Sequence, residues 1–237
     1  LKDNYSFILY NNEGDACIID PSESLPIIKF LNNNNLKIKD IFITHHHKDH
    51  TSGIKDLIKN FDKINIHSPG PHIENTRFIL SNNDKIETSL NSFNIISTPG
   101  HTLDHIVYYD TNNKLLFCGD TLFRLGCGRV FEGTLNDMYS SLKKINELDD
   151  DTVVYCGHEY TLTNLFFLET ILDKKDFYLN IRQKIEMDIK LNHKSIPFLL
   201  EEEKSHNLFL NQESQIGELV KNELKFENFE LFKYLRE

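Results

Sequence analysis

The chain has 237 residues, 39% hydrophobic and 26% charged, with a formal net charge of −10. That length can bury a sizeable core as one large domain or as a domain with an appendage. The negative balance, without a basic stripe, argues against a nucleic-acid partner, and no apolar run approaches the roughly 18 residues that span a bilayer.

The first stretch, Leu1-Lys2-Asp3-Asn4-Tyr5, begins mid-pattern with neither an initiator Met nor a signal-like segment, so residues are expected to precede it. Tyr5 to Tyr10 and Ala16 to Ile19 read as strands joined by the hairpin signal Asn11-Asn12-Glu13-Gly14-Asp15. Asp20-Pro21 ends the second. Leu25 to Leu31 reads as a helix, followed by the polar loop Asn32 to Asn35 and a strand over Ile41 to Thr44. Then comes His45-His46-His47-Lys48-Asp49-His50, followed by helical spacing to about Asn60. Lys63 to His67 and Phe93 to Thr98 are strands, broken by Ser68-Pro69-Gly70-Pro71 and Pro99-Gly100-His101. Ile106 to Tyr109 and Leu115 to Cys118 form a second hairpin ending at Gly119-Asp120. Asn136 to Leu148 is an amphipathic helix, and Thr152 to Tyr155 a strand ending at Cys156-Gly157-His158. Beyond about residue 161 the strand signals stop, and Leu165 to Leu172, Phe177 to Leu191 and Ile216 to Leu224 read as helices. The expected organisation is a two-sheet sandwich with helices outside, over 1–161, and a helical part over 162–237 packed against it.

Four segments deliver ligand-type side chains just past β-type runs: the His cluster, His101, Asp120 and His158. Each of the last three is preceded by Gly, which permits a sharp turn and leaves room beside an ion. Neutral imidazoles and carboxylates are standard ligands for divalent metals. His45 and His47, two apart on extended chain, should point the same way. Asp49 and His50 follow once the chain has turned and should serve a neighbouring position. That predicts two metal ions, with Asp120 as the bridge and His46 facing away. Two ions about 3.5–4 Å apart can share a water and bring its pKa to about 7, giving a hydroxide nucleophile without Ser or Cys. Asp20, also past a strand, is a candidate to orient a ligand His from behind, or simply an Asp-Pro turn.

The motifs T-H-H-H-K-D-H at 44–50, P-G-H at 99–101, G-D at 119–120 and G-H at 157–158 resemble the metallo-β-lactamase superfamily. D-N-Y at 3–5, G-D-T-L-F-R-L-G-C-G-R-V-F-E-G-T at 119–134 and Y-C-G-H-E-Y-T-L-T-N-L at 155–165 are similar to its hydroxyacylglutathione hydrolase (glyoxalase II) family. The resemblance implies an αβ/βα four-layer sandwich, a catalytic domain over 1–161 and a smaller helical substrate-binding domain over 162–237. It implies one metal on His45, His47, His101 and Asp120 and another on Asp49, His50, Asp120 and His158, with zinc, iron or manganese the candidate ions. The implied reaction is hydrolysis of S-D-lactoylglutathione to glutathione and D-lactate, the second step of methylglyoxal detoxification.

The family's substrate segments correspond here to Arg129, Val130 and Phe131, to Tyr160, and to Leu235-Arg236. Phe131 stands where the family usually has Tyr, removing one hydroxyl. The family pattern L-R-x-x-K is met only as far as Arg236 and Glu237, so the native protein is expected to continue. Arg129 and Arg236 would supply the cationic patch that the net charge otherwise denies an anionic substrate. Asp49 and Asp120 are the expected catalytic carboxylates, tuning the metals and carrying a proton away. His67, His72, His105, His193 and His206 are read as loop, structural or surface residues, and Cys127 is not read as a nucleophile. Cys17, Cys118, Cys127 and Cys156 lack C-x-x-C spacing, which favours a reducing compartment. The expectation is a cytoplasmic monomer acting on a small glutathione thioester, an organelle-targeted form remaining open. The alternative reading is a mono-iron glutathione persulfide dioxygenase. A nuclease would want a basic surface, and a non-catalytic binding protein would be expected to lack ligands.

Overall fold

The amino-terminal hairpin, β1 (Phe7–Tyr10) and β2 (Asp15–Ile19), pairs antiparallel with Phe7 opposite Ile19. The computed structural model describes residues 1, 3–172 and 175–237. After β2 come α1 (Ser24–Asn33), β3 (Lys37–Phe42), the short α2 (Lys48–Thr51), α3 (Ile54–Asn60), β4 (Asn65–Ser68) and β5 (Phe78–Ile79). β2, β3, β4 and β5 are parallel, so this sheet has the order β1-β2-β3-β4-β5, with helical crossovers from β2 to β3 and from β3 to β4 and a loop from β4 to β5. β3 begins earlier than its apolar run suggests. Lys37 and Lys39 are exposed while Ile38, Asp40, Ile41 and Phe42 are buried, a half-buried start turning fully buried.

The second sheet is built from β6 (Lys85–Glu87), β7 (Ser92–Ser97), β8 (Ile106–Asp110) and β9 (Leu115–Gly119) as a meander. The chain then makes the small ribbon of β10 (Leu122–Phe123) and β11 (Gly126–Cys127), α4 (Leu135–Asn146) and β12 (Val153–Cys156), which adds to β9 in parallel. α5 (Thr161–Leu172), α6 (Lys175–Asn192), β13 (Phe198–Leu199), α7 (Leu200–His206), α8 (Gln215–Leu224) and α9 (Asn228–Arg236) follow. β13 corrects the expectation that strands stop near 161. Val153 pairs with Leu199 and Val154 with Phe198, so the carboxy-terminal part completes the order β13-β12-β9-β8-β7-β6. Two residues with a β-branch-poor sequence carry too little periodicity to be read as a strand.

Three apolar clusters give the layers. Between the sheets lie Cys17, Ile19, Phe42, Phe93, Ile95, Ile106, Tyr108 and Phe117. The outer face of the first sheet packs Ile18 and Ile41 against Ile27 and Leu31 of α1 and Ile54 and Leu57 of α3. The outer face of the second receives Met138, Leu142 and Ile145 of α4, all fully buried at helical spacing, together with the carboxy-terminal helices. Each such side chain contributes about 1.5–3 kcal/mol by leaving water. Thr134 starts α4 with a capping box closed by Asp137. The result is the expected four-layer sandwich, two sheets with helices on both outer faces, and a helical carboxy-terminal part.

Candidate metal centre

The centre sits where β2, β3, β7, β9 and β12 end. Each end is pinned by backbone bonds. Ile43 N–H donates to His67 O and Ile106 N–H to Thr44 O, while the buried Tyr108 hydroxyl donates to Ile43 O at 2.7 Å. The motif of residues 44–50 therefore enters from a rigid frame. The helix expected from the cluster to Asn60 is broken at Ser52 and Gly53, where Gly53 N–H donates to Pro21 O.

The expected ligands converge. His45, His47 and His101 form one group of donor atoms within 4.8 Å of one another, and His45, His50 and Asp120 a second. Asp49, His50 and His158 form a third. Asp120 faces both halves: its Oδ1 lies 3.4 Å from His50 Nε2, and its Oδ2 lies 3.4 Å from His101 Nε2 and 3.3 Å from His158 Nε2. His47 Nδ1 and His101 Nε2 face one another at 3.0 Å, and His158 Nε2 is 3.4 Å from Asp49 Oδ2.

The outer nitrogens are held by the protein. His50 Nδ1 meets Asp20 Oδ2 at 2.9 Å, His45 Nδ1 meets Thr44 Oγ1 at 3.0 Å, and His101 Nδ1 meets Arg129 O at 2.8 Å. An N–H on each Nδ1 leaves the Nε2 lone pair turned inward. Asp20 also accepts from Thr44 N–H and Thr44 Oγ1–H. Both readings of Asp20 therefore describe one residue: it makes the turn, with φ at +49°, and its carboxylate orients a histidine.

The donor set fits divalent ions on a structural ground. His45 Nε2, His50 Nε2 and Asp120 Oδ1 are buried and have no hydrogen-bond partner among the described residues, although they point at one another. Buried polar atoms left so are costly unless something satisfies them. Glycine makes the approach possible. A Cβ on Gly157 would lie 2.3 Å from Asp120 Oδ1, and one on Gly119, where φ is +47°, would lie 2.5 Å from Thr44 Oγ1.

Electrostatics divide the histidines. Burial, reinforced by His50, pushes His45 well below its ordinary value, and burial pushes His105 down to about 3. Burial alone would lower His158, but hydrogen bonds to Asp120 and Asp49 raise it to about 9. His50 is likewise raised against burial by Asp120 and Asp20. Asp120 is held well below the carboxylate range, its burial outweighed by His50 and His158. Without a cation the carboxylates draw protons onto these imidazoles, and a bound cation must displace them.

Of the expected substrate residues, Phe131, Tyr160 and Arg129 lie around the mouth. The Phe131 ring is 63% exposed and stands 5.2 Å from the His101 ring and 5.8 Å from that of His47. Tyr160 stacks on His158 at 4.8 Å and 6°. Burial raises the Tyr160 hydroxyl to about 12, and the exposed Arg129 opposes that rise from nearby. Arg236 is half-buried, near enough to Cys127 to oppose the upward push of burial on that thiol, and set over the Phe209 ring at 5.9 Å. Among the described residues, neither of these neighbours brings it to the histidines.

Two contributors carry no periodicity signal. Asn4 Nδ2 donates to Asp49 Oδ2 at 3.1 Å and to Asp49 O, while its backbone bridges to His158. His105, fully buried, stacks on His45 at 4.8 Å and its Nε2 accepts from Asp120 N–H. The first could be found only through the D-N-Y motif, the second only as a structural His.

Residues 3–158 match the family model of the metallo-beta-lactamase superfamily, and residues 159–237 that of the hydroxyacylglutathione hydrolase C-terminus. The hydroxyacylglutathione hydrolase of Citrobacter koseri is 40% identical, covering 99% of this chain and 94% of that protein. That of Salmonella paratyphi C is 40% identical over 90% of this chain and 84% of the relative. Among solved structures, ETHE1 from Myxococcus xanthus aligns with a TM-score of 0.68 at 22% identity, covering 97% and 90% of the two chains. The B3 metallo-beta-lactamase BLEG-1 aligns at 0.66 and 21%, covering 87% and 94%. TTHA1623, solved in a di-iron-bound form, aligns at 0.57 and 24%, covering 67% and 88%. At those identities the structures speak for the fold.

Proposed function

The chain belongs to the metallo-β-lactamase superfamily and to the hydroxyacylglutathione hydrolases within it, and from that premise we propose that its site holds two divalent ions and cleaves S-D-lactoylglutathione, and related S-2-hydroxyacylglutathiones, to glutathione and the hydroxy acid. The observation that carries the reading is the convergence of unpartnered buried donors, His45 Nε2, His50 Nε2 and Asp120 Oδ1, from separate strand ends. His45, His47, His101 and Asp120 would hold one ion, and Asp49, His50, Asp120 and His158 the other. Zinc suits the imidazole-rich set best, and iron or manganese fit the same donors.

Bound there, divalent ions supply Lewis acidity and an activated water at neutral pH. The rest falls to the chain's own groups. Asp20, Thr44 and the Arg129 carbonyl keep the imidazoles in one orientation, so no reorganisation is needed during reaction. Asp49, steadied by Asn4 and kept ionised chiefly by its bond to His158, holds its negative charge beside the donor sets, and the proton released as water adds to the thioester carbonyl ends on the thiolate or in solvent. Asp120, facing both donor groups, holds their relative position. The thiolate leaves with little need for protonation. Arg129 receives a carboxylate of the glutathione moiety, Tyr160 and Phe131 flank it, and Arg236 adds positive charge from the carboxy-terminal helix.

The division of labour is a catalytic unit over 1–161 and a substrate-binding unit over 162–237, in a monomer. Cys17, Cys118, Cys127 and Cys156 are all free and buried, which suits a reducing compartment, and we place the chain in the cytoplasm. Among the described residues no helix is long and apolar enough to cross a membrane. The persulfide dioxygenase alternative is not favoured, because residues 159–237 match the hydrolase's own carboxy-terminal family.

The test is purified protein with S-D-lactoylglutathione, following loss of thioester absorbance with and without a chelator. Metal-dependent turnover without oxygen uptake is expected. Absence of turnover in metal-replete protein would remove the reading.

A further inference from the structure

Outside the donor sets above, a second group of metal-type side chains meets at the rim. His46 comes from the loop after β3, His72 from the turn after β4, and Asp104 from the loop after β7. One donor atom from each lies within 4.8 Å of the others. His46 Nδ1 is 3.0 Å from Asp104 Oδ1, and His72 Nε2 is 2.9 Å from Asp104 Oδ2. The far nitrogen of His46 lies 3.1 Å from Glu132 Oε1.

We infer that His46, His72 and Asp104, with Glu132 beside them, form a separate binding site for one zinc-class divalent cation. Two neutral imidazoles and a carboxylate are the ligand chemistry of such an ion, which takes nitrogen and oxygen at about 2.0–2.2 Å and therefore spaces its donors about 3.3 Å apart. Each histidine–Asp104 pair needs to spread by only a few tenths of an ångström to reach that spacing, and the two imidazole donors lie within 4.8 Å of each other. The inner donors show the same range, with 3.0 Å between His47 Nδ1 and His101 Nε2 and 3.4 Å between His50 Nε2 and Asp120 Oδ1.

The surroundings are arranged as they are behind metal ligands. Thr102 Oγ1 donates to Asp104 Oδ1 at 2.6 Å, and Leu103 N–H donates to Glu132 Oε2 at 2.9 Å, so both carboxylates are oriented from behind. The His72 ring lies over Gly70, where an added Cβ would be 2.4 Å from its Cε1. The two carboxylates, Asp104 and Glu132, bring two acceptor groups to the cluster whose formal charge one divalent ion would match. His46, His47 and Glu132 also approach one another, but His47 already faces His101 in the inner set. Bound at the rim, the ion ties the turn after β4 to the loop after β7.

The bland alternative is that histidine–carboxylate hydrogen bonds alone close these loops. Zinc-loaded enzyme, dialysed to its resident metal content, separates the two. Titration with zinc, followed by calorimetry and metal analysis, should load one further ion per chain and raise Tm. Crystals soaked in zinc should show an anomalous peak between His46, His72 and Asp104. His72→Ala should weaken the added ion at least tenfold and abolish the zinc-dependent rise in Tm. Resident metal and turnover at low zinc should be unchanged. Asp104→Asn, which keeps the shape, should also lose the ion. No further ion in the wild type, or one that binds equally well to both variants, would overturn the site.

Discussion

Asp20 Oδ2 lies 2.9 Å from His50 Nδ1, and the same carboxylate receives the Thr44 hydroxyl that in turn receives His45 Nδ1. One buried carboxylate therefore sets the ring orientation of two metal-type histidines. Orienting groups of this kind typically contribute 10–100-fold to metal affinity. Asp20→Ala should lose metal by about that factor, read by competition with a chromophoric chelator. Asp20→Asn, which tolerates the positive φ and keeps one acceptor, should lose less.

Chelation should abolish turnover, and adding back zinc should restore it, with about two ions per chain at full activity. Metal analysis alongside the rates checks this. Full activity at one ion per chain would contradict the bridging position given to Asp120.

Metal affinity should rise with pH. His158, raised to about 9 by Asp120 and Asp49, must give up its proton to bind an ion. Each proton released makes affinity climb up to about tenfold per pH unit until pH passes about 9. Metal-free protein should respond in the opposite sense. The raised pKa stabilises the fold fully below the ordinary value of 6.5 and ceases to do so as pH passes about 9. Its Tm should therefore fall across that window, and less so in His158→Ala.

Arg129→Ala should raise KM about tenfold with little change in kcat, because it removes a binding contact away from the reacting carbonyl. Phe131→Tyr returns a hydroxyl beside the His101 ring, and one hydrogen bond of about 0.5–1.5 kcal/mol should lower KM by roughly twofold to tenfold. Steady-state kinetics on the two variants separates these effects from a change in the chemical step.

Gly157→Ala should be inactive while remaining folded. The added methyl would meet Asp120 Oδ1 at 2.3 Å and His50 Cε1 at 2.8 Å, displacing two donors at once. Loss of bound metal with native circular dichroism is the expected pair of readings, and an active variant would show that the site can give way there.

The converging donor residues were legible because their chemistry is written in residue type and place. His45, His101, Asp120 and His158 each follow a strand, and strand ends are where a sandwich exposes side chains at one rim. The two sheets and the α4 core face were legible for a related reason: periods of two and 3.6 are local properties of the chain. The short strands β5, β6, β10, β11 and β13 were not, since two or three residues carry no period.

Only the tertiary structure decided which partners stand behind each ligand. That Asn4 reaches Asp49, that Asp20 reaches His50 and that His72 meets Asp104 are contacts across 45, 30 and 32 residues of chain. No local pattern encodes such a distance, because hydrogen bonds between remote segments follow from how the sheets stack and where their loops are brought to rest. The amino-acid sequence by itself determined the donors and their order; the packing of two sheets determined the geometry in which they act.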